Sequence, residues 1–429
     1  MLEKTFGLAK AGTSVKTEVM AGIATFLTMA YITVVNPAIL STEGTGMAFG
    51  AVFTATIIAA VVGTLIMGLW ANWPIALAPG MGLNAFFAFG VVFGMGYTYQ
   101  QALAAVFVAG IVFIALSVTP ARKYIINSIP KSMKLGIGAG IGLFLAIIGL
   151  KNAGIVVDHP ATLVGLGDVA SVPVLLAGLG FAIMAILDKR GIPGSIIIGI
   201  LATSIIAWVF GVADLVGVVG AIPSPEHAFS MDFSLLFTAG FIGTAFAFLF
   251  VDFMDTAGTL TSVANLTGKV NKNGEVDGID RALLADSVAT SVGALAGTSN
   301  TTSYIESGAG VKEGGRTGLT AVVVAGLFLL CLVFAPLAQS IPAFATAPAL
   351  VFIATYFLRN IVDIAWDDVT EYAPAVLAAI IMPLTFSIAY GIAIGFIAYV
   401  VIKALSGNTE DINKGSIVLA TVSVLYFLV

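Results

Sequence analysis

The sequence predicts an all-α polytopic membrane protein with about fourteen transmembrane segments, arranged as two inverted halves of seven. Three observations support this fold class. Of the 429 residues, 59% are hydrophobic and only 10% are charged, and long apolar runs recur along the chain. Of the 18 lysines and arginines, only Lys151 falls outside when the N-terminus is placed inside, a bias typical of a correct segment count. The third observation is an internal sequence repeat.

The apolar segments are separated by short polar connections, and several are too short to span a bilayer alone. They cover residues 18–40, 48–70, 76–93, 98–118, 132–150, 171–187, 192–213, 234–258, 282–296, 302–312, 318–338, 344–361, 370–388 and 389–406. The first run begins near Glu18 and has no small-residue cleavage site, so we expect a retained span rather than a signal peptide. A last run, 416–429, is expected to lie on the membrane surface or to insert in part.

The distribution of basic residues predicts the orientation of the chain. With a cytoplasmic N-terminus, the residues on the inside are Lys4, Lys10, Lys16, Arg122, Lys123, Lys131, Lys134, Lys189, Arg190, Lys269, Lys272, Arg281, Lys312, Arg316, Arg359, Lys403 and Lys414. The sequence therefore predicts a multi-pass protein of the cytoplasmic (inner) membrane.

Composition argues against several function classes. The single cysteine, Cys331, lies in an apolar run, which leaves no cysteine pair for a disulfide or a metal site. The two histidines, His159 and His227, fall in polar loop segments, so we expect neither a histidine metal site nor a catalytic triad. The formal net charge of −5 argues against a nucleic-acid partner. We expect no enzyme activity, no metal and no cofactor.

The internal repeat relates the two halves. Gln101–Ile111 (QALAAVFVAGI) aligns without gaps on Thr317–Leu327 (TGLTAVVVAGL), although two apolar helices can share residues by chance. The neighbouring sequence agrees, since the interrupted segment after Ala78 pairs with the one after Ala296. Seven spans per half is an odd number, so the halves must be inverted. Transporters of this kind hold their substrate at the midplane, where interrupted helices meet.

The two interrupted segments are APGMGLNAFF (78–87) and GTSNTTSYIESGAGVKEGGRTG (Gly297–Gly318). Irregular backbone at membrane depth must be wrapped in protein or line a wet cavity, because lipid cannot pair its N–H and C=O groups. In the second segment we expect extended chain from Gly297 to Ser303 and a short helix from about Thr302. The positive end of this half-helix would point into the site.

Three carboxylates lie within or beside these segments. Asp252 and Asp255 fall on one helix face, and Glu306 lies in the second interrupted segment. Acidic residues within a span are costly unless they face protein or water, so they mark function. The alternative is that they lie near an inner helix end and are solvated. No basic residue nearby in sequence neutralises them, so at least one is expected to bind a coupling proton.

The remaining candidates surround these carboxylates. Asn84 offers a donor and an acceptor from one amide, or a helix-packing contact. The aromatic rings beside the polar groups could stack on a ligand or only pack against other side chains. The hydroxyl groups could line the site or form hydrogen bonds with the backbone. The predicted substrate-binding set is Asn84, Asp252, Asp255, Glu306, Phe86, Phe250, Thr302, Ser303, Tyr304 and Ile305. Such a site without Lys or Arg favours a flat, neutral ligand rich in N–H donors, such as a nucleobase.

Long stretches of the chain resemble one family. They are 25–40 (TFLTMAYITVVNPAIL), 78–87, 139–156 (AGIGLFLAIIGLKNAGIV), 250–260 (FVDFMDTAGTL) and 297–321. They are similar to the adenine/guanine/hypoxanthine permease family (AzgA-like), a branch of the nucleobase–cation symporters. The resemblance covers nearly the whole chain.

The resemblance implies the uracil-permease fold. A core domain would comprise residues 1–119 and 234–338, a gate domain 120–233 and 339–408, and a C-terminal tail 409–429. The resemblance also implies a short antiparallel strand pair from the third and tenth spans at the site.

The resemblance assigns roles as well. Asn84, Asp252, Asp255 and Glu306 match the family's purine-binding and coupling positions. Where the wider fold family carries Glu-His-x-Gly-His, this chain has Asp255-Thr-Ala-Gly-Thr259, a departure that disfavours a pyrimidine or xanthine substrate.

The sequence therefore predicts proton-coupled uptake of adenine, guanine or hypoxanthine, with Asp252, Asp255 and Glu306 as candidate proton carriers. The expected partners are a purine nucleobase, a proton and the lipid bilayer. An elevator-like movement of core against gate would carry the substrate. Alternatives are the same fold transporting uracil, xanthine or a small organic anion, and, less favoured, a channel or a membrane-embedded enzyme. The sequence leaves open which purine is preferred and whether two copies form a homodimer.

Overall fold

The structure is a computed structural model that describes residues 2–119, 129–270 and 276–428. Three of the basic residues used for orientation, Arg122, Lys123 and Lys272, lie outside the described residues. The described part is mostly helical, with two small two-stranded sheets.

The first half of the chain runs from α1 to α9. Its elements are α1 (Leu2–Phe6), α2 (Val15–Met29), α3 (Ile32–Leu40), α4 (Phe49–Ile66), β1 (Leu77–Pro79), α5 (Met81–Ala85), α6 (Tyr99–Ser117), α7 (Lys131–Asn152), β2 (Val156–His159), β3 (Leu163–Leu166), α8 (Val172–Lys189) and α9 (Ser195–Val209). π-helical segments, Met67–Ala71 and Phe86–Gly94, extend α4 and α5. His159, placed in a loop from the sequence, instead ends strand β2, where it pairs with Leu163.

The second half runs from α10 to α18. Its elements are α10 (Ala239–Thr267), α11 (Ile279–Ala296), β4 (Thr301–Ser303), α12 (Ser307–Lys312), α13 (Gly318–Cys331), α14 (Ala335–Gln339), α15 (Ala343–Leu358), α16 (Val369–Thr385), α17 (Ile388–Leu405) and α18 (Lys414–Leu428). The predicted tail run forms α18, which packs along α17. Near its end, Tyr426 contacts Gly243 of α10 and the ring of Tyr390.

Within the described residues, nine helical stretches are long and apolar enough to cross a membrane. Shorter apolar helices, among them Met81–Gly94, Ser195–Val209 and Val369–Thr385, account for further predicted segments. The protein is therefore a multi-pass membrane protein, as the sequence predicted.

The inverted repeat is visible where the predicted spans are interrupted. Each half contains a three-residue strand that is followed, after one to three residues, by a short helix: β1–α5 in the first half and β4–α12 in the second. The two strands pair antiparallel, so the two interrupted segments approach each other from opposite directions. The aligned repeat sequences fall in corresponding helices, α6 and α13. These features confirm the predicted interrupted spans with short strands.

One local prediction was wrong. The half-helix was expected from about Thr302, but Thr302 lies in β4 and α12 begins at Ser307, with Glu306 at its N-cap. Pairing with β1 holds Thr301–Ser303 extended, because strand pairing satisfies backbone groups that a helix would otherwise satisfy. Glu306 therefore stands at the start of the half-helix rather than within it.

The helices pack in two groups. In one, α2, α4, α6, α10, α11 and α13 pack on each other around the strand pair. In the other, α7 packs against α15 and α16, and α8 packs against α9 and α15. Both groups combine helices from the two halves of the sequence.

Candidate functional site

The strand pair β1–β4 forms the floor of the candidate site. All six strand residues are buried, and Ala78 lies opposite Thr302. Two further backbone bonds extend the ladder, from Gly80 N–H to Asn300 C=O (2.9 Å) and from Tyr304 N–H to Ala76 C=O (3.0 Å). Extended chain survives at membrane depth because these bonds satisfy its backbone groups.

Close packing against α11 keeps β4 in place. A methyl group added to Gly293 would lie 2.5 Å from Thr301 Oγ1 and 2.8 Å from Ser299 C=O. Real side chains do not approach so closely, so only glycine permits this contact between helix and strand. The hydroxyl oxygen of Thr290 lies 3.0 Å from Thr301 C=O, which brings α11 against the backbone of β4.

Asp252 lies in the middle of the 29-residue helix α10 and is fully buried. Its Oδ2 accepts hydrogen bonds from the Thr290 hydroxyl (2.6 Å) and from Asn300 Nδ2 (3.1 Å). Its Oδ1 has no partner among the described residues. Burial excludes the alternative of a solvated carboxylate at a helix end. Oδ2 of Asp252 is thus engaged in hydrogen bonds within the protein, and Oδ1 is free to accept one.

Asp255 occupies the next turn of α10 and differs sharply from Asp252. Its side chain is exposed, and no hydrogen bond or ion pair joins it to another described residue. Gly258, Thr261 and Asn265 are exposed in turn toward the C-terminal end of the helix. These positions share one helix face, and a carboxylate on that face requires water rather than lipid. We therefore infer a wet vestibule along this face of α10.

Glu306 occupies the N-cap position of α12 without a side-chain capping hydrogen bond, and it is half-buried. Its Oε1 accepts a hydrogen bond from the hydroxyl of Tyr31 at 2.8 Å. The Thr28 hydroxyl lies 3.4 Å from the backbone carbonyl oxygen of Glu306. Ile305, the residue before it, is 52% exposed. Asp255 and Glu306 interact electrostatically.

Asn84 is fully buried in α5. Its Nδ2 donates to Asn36 Oδ1 at 2.9 Å, and the amide of Asn36 donates in turn to Thr56 and Thr298 at 2.7 and 2.8 Å. The Asn84 Oδ1 has no partner among the described residues. The amide nitrogen of Asn84, which was expected to donate to a ligand, is therefore already bonded to Asn36. The amide oxygen of Asn84 remains available as an acceptor.

The predicted aromatic residues lie in packed clusters. Phe86 is buried against Phe248, with ring centroids 5.0 Å apart. Phe250 is buried edge-on against Phe396 of α17 at 6.0 Å. The hydroxyl of Tyr304 donates to Pro79 C=O at 2.5 Å, which ties the end of β4 to β1. These contacts agree with the packing alternative that the sequence left open.

Thr302 and Ser303 bind buried polar groups behind the strand. The Thr302 and Thr256 hydroxyls are 2.9 Å apart, and Ser303 donates to Asp286 Oδ1 at 2.6 Å. Thr256 donates to the other oxygen of Asp286 at 2.7 Å. Asp286, fully buried in α11, therefore joins α10, α11 and β4.

Sequence reasoning missed Asp286 and Tyr31. Asp286 was detectable, since it is a carboxylate within the predicted apolar segment 282–296. Tyr31 carried no such signal, because a tyrosine in an apolar run is ordinary in a membrane helix. Thr259 is buried on α10.

The comparisons with known proteins agree with this architecture. A family model described as "Permease family" matches residues 16–394. The chain belongs to this permease family.

Three relatives of the permease match it from end to end. It is 43% identical to the adenine permease AdeP of Escherichia coli, over 99% of this chain and 95% of that protein. It is 45% identical to the guanine/hypoxanthine permease PbuO of Bacillus subtilis, over 99% of each. A putative permease of Methanocaldococcus jannaschii is 47% identical over 100% of this chain and 98% of its own. These relatives confirm the resemblance to the adenine/guanine/hypoxanthine permease family.

Solved transporters share the fold of the permease at low sequence identity. The transmembrane domain of a cyanobacterial bicarbonate transporter, BicA, superposes with a TM-score of 0.68 at 15% identity, over 87% of this chain and 96% of that one. SLC26A9 superposes with a TM-score of 0.68 at 11% identity, over 92% of this chain and 66% of that one. With the family match, this fold identifies the permease as a membrane transporter rather than an enzyme.

Proposed function

We propose that this permease imports purine nucleobases together with a proton. The observation that carries the proposal is the near full-length similarity to one adenine permease and to guanine/hypoxanthine permeases, at 43 to 45% identity. Uracil, xanthine or a small organic anion remains the competing substrate class.

The chemistry of the candidate site favours a neutral ligand with several N–H groups. Asp252 Oδ1 and Asn84 Oδ1 are buried acceptors without partners among the described residues, and Glu306 has a second oxygen beyond the one bound to Tyr31. A purine presents N–H donors along its edge, which such acceptors recognise. An anion would need a basic residue, and residues 77–87, 250–260 and 298–310 contain no Lys or Arg. Adenine, guanine and hypoxanthine fit these requirements.

A proton would balance the charge of the carboxylates during transport. Asp255 lies on the face of α10 that borders the wet vestibule, and Glu306 interacts with it electrostatically. Neither carboxylate has a salt-bridge partner among the described residues. Moving a substrate past unpaired carboxylates in a low-dielectric site is costly, and protonation removes that cost. The vestibule face of α10 supplies a polar route by which the proton could leave.

The movement that exposes the site would take place between the two helix groups. The group around the strand pair would act as the core, and the group of α7 to α9 with α15 to α17 as the gate. Phe250 and Phe396 pack across their boundary. We propose an elevator-like displacement of the core against the gate. The N-terminus would face the cytoplasm, in the cytoplasmic membrane.

Uptake by the purified permease in proteoliposomes tests the function. Radiolabelled hypoxanthine, guanine and adenine should accumulate when the proton gradient is directed inward and should equilibrate without accumulation when it is collapsed. Accumulation that persists without the gradient would contradict proton coupling. Accumulation of radiolabelled uracil or xanthine, with none of adenine, guanine or hypoxanthine, would replace the assignment to these three bases.

A second experiment tests whether the Glu306 carboxylate binds the substrate. Glu306→Gln should abolish accumulation and raise the KM for hypoxanthine, since the amide offers a donor where the purine requires an acceptor. The matched control is Glu43→Gln, at an exposed loop position. Wild-type uptake by Glu306→Gln would remove Glu306 from the binding site.

A further inference from the structure

Glu18 is a fully buried carboxylate in the first turn of α2, and it is not one of the three candidate site carboxylates. No salt bridge neutralises it among the described residues. Its oxygens instead accept hydrogen bonds from the backbone N–H groups of Arg316 (2.9 Å), Thr317 (3.3 Å) and Thr320 (3.1 Å), and from the Thr320 hydroxyl (2.6 Å). These amides lie at and just before the start of α13, where helix N–H groups lack partners in a preceding turn. The Thr320 N–H also lies 3.2 Å from Thr317 C=O. Glu18 therefore caps α13 from another helix, 298 to 302 residues away in sequence.

The same turn is fixed to the end of α12. The Arg316 guanidinium donates through Nη1 to Val311 C=O (2.6 Å) and to Gly315 C=O (2.7 Å). Val311 belongs to the last turn of α12, so Arg316 closes that helix while Glu18 holds the Arg316 backbone. On the far side, Asn72 Oδ1 accepts from Gly318 N–H at 2.7 Å. The turn between α12 and α13 is thus held from both sides.

One face of α2 follows α12 from this turn to the candidate site. A methyl group on Gly310 would overlap the Thr25 hydroxyl and the Ala21 backbone, so the two helices are in close contact. At the other end of the contact, the Thr28 hydroxyl lies near the backbone carbonyl of Glu306. Tyr31, just beyond the end of α2, donates a hydrogen bond to the Glu306 side chain. α2 therefore holds α12 at both ends.

α12 depends on these contacts for its position. It has only six residues, and helices of that length are not stable alone in the absence of tertiary packing. When the C-terminal end of so short a helix is fixed, the position of its N-cap residue is set as well. In α12 that residue is Glu306.

We propose that Glu18 is a positioning residue for Glu306, acting through the α12–α13 turn and α12. The inference rests on the proposed role of Glu306 in purine binding. Glu18 itself touches no substrate in this arrangement. Its four hydrogen bonds fix the turn between α12 and α13. Arg316 joins that turn to the C-terminal end of α12, and the six-residue helix transmits the position to the carboxylate at its N-cap.

Two variants loosen the turn to different degrees. Glu18→Gln replaces a carboxylate that accepts four hydrogen bonds by an amide with a single oxygen, which leaves backbone amides at the start of α13 unpaired. Thr320→Val removes only the hydroxyl donor, and Thr320→Ser retains it as a matched control. Glu43→Gln controls for loss of a carboxylate at an exposed position.

The first measurement is hydrogen–deuterium exchange of the purified permease, which does not depend on transport. Peptides covering 307–320 should exchange faster in Glu18→Gln, and less so in Thr320→Val, while Thr320→Ser and Glu43→Gln match the wild type. The second measurement is uptake of radiolabelled hypoxanthine. The KM should rise about tenfold in Glu18→Gln, the scale expected for lost hydrogen bonds to a charged group, with the maximal rate per inserted molecule within about twofold of wild type.

Each outcome decides the proposal. Faster exchange together with a raised KM supports it. Unchanged exchange in both Glu18→Gln and Thr320→Val overturns it. Faster exchange with an unchanged KM also overturns it, and if Glu306→Gln still raises the KM, the proposed function survives that failure. If Glu306→Gln leaves the KM unchanged as well, the proposed role of Glu306 falls and this inference falls with it.

Discussion

The hydroxyl of Tyr31 donates a hydrogen bond to Glu306 at 2.8 Å, although 275 residues separate the two in sequence. Tyr31 lies just beyond the end of α2, and Glu306 is the N-cap residue of α12 in the other half of the chain. The contact leaves the second carboxylate oxygen of Glu306 free while fixing the first. It therefore restrains the orientation of this carboxylate.

Removing this donor should weaken substrate binding more than it weakens the fold. In Tyr31→Phe the Glu306 carboxylate loses a hydrogen bond to a charged group, worth about 1.5–3 kcal/mol. We expect the KM for hypoxanthine to rise roughly tenfold or more, with normal amounts of protein in the membrane. The control is Tyr390→Phe on α17, a tyrosine that packs against Tyr426. Equal KM values for the two variants would contradict the role of Tyr31.

Asp286 should be required for the stability of the strand pair. Its two oxygens accept from Thr256 and Ser303, so Asp286→Asn places an amide N–H₂ against a hydroxyl donor. We expect a loss of about 1–3 kcal/mol, measured as a lower melting temperature of the purified permease. Asp214→Asn, in an exposed loop, should leave the melting temperature unchanged. A melting temperature of Asp286→Asn equal to wild type would show that the network contributes nothing to stability.

Gly293 should not tolerate a methyl group. Gly293→Ala would place Cβ 2.5 Å from Thr301 Oγ1 and 2.8 Å from Ser299 C=O, so β4 must shift. We expect loss of hypoxanthine uptake and a lower melting temperature. Gly178 of α8 is the matched control, because a methyl group there has no atom within 4 Å. Gly178→Ala should be neutral or stabilising by about 0.5–1 kcal/mol, as expected for helical glycine. The prediction is wrong if the two variants behave alike.

Stability should fall at acidic pH through His227. This buried side chain accepts a hydrogen bond from Ala48 N–H at its Nε2 (2.8 Å) and packs against the ring of Tyr99. Burial holds the pKa of His227 below its ordinary value, and the neighbouring charge of Glu226 only partly opposes this.

The sign of this effect follows from proton linkage. Because the folded pKa is depressed, the unfolded chain binds more protons as pH falls below about 6.5, and stability falls with it. The melting temperature of the wild type should therefore drop more steeply between pH 7 and pH 5 than that of His227→Gln, which does not titrate there. His159→Gln, at an exposed position, should follow the wild type. Parallel curves for wild type and His227→Gln would contradict this.

Much of the architecture could be predicted from the chain alone. Apolar runs long enough to span a bilayer and one-sided basic residues determine the membrane class, because lipid imposes both requirements locally. The Gly-, Ser- and Thr-rich stretch 297–318 could be recognised as an interruption, since its composition cannot form a lipid-facing helix. Asp252, Asp255 and Glu306 stood out because carboxylates are rare within spans.

The tertiary structure decided what each of these residues contacts. Asp252 is buried and Asp255 is exposed, although three residues separate them on one helix, because their surroundings come from α11 and from the open face of α10. Thr302 is extended rather than helical because β1, more than 200 residues earlier, supplies its backbone partners. The sequence by itself determined a membrane protein with two interrupted spans and three unpaired carboxylates. Only long-range packing decided the partners of those carboxylates. It also decided the contacts by which Glu18 and Tyr31 position α12, and such packing leaves no local pattern in the chain.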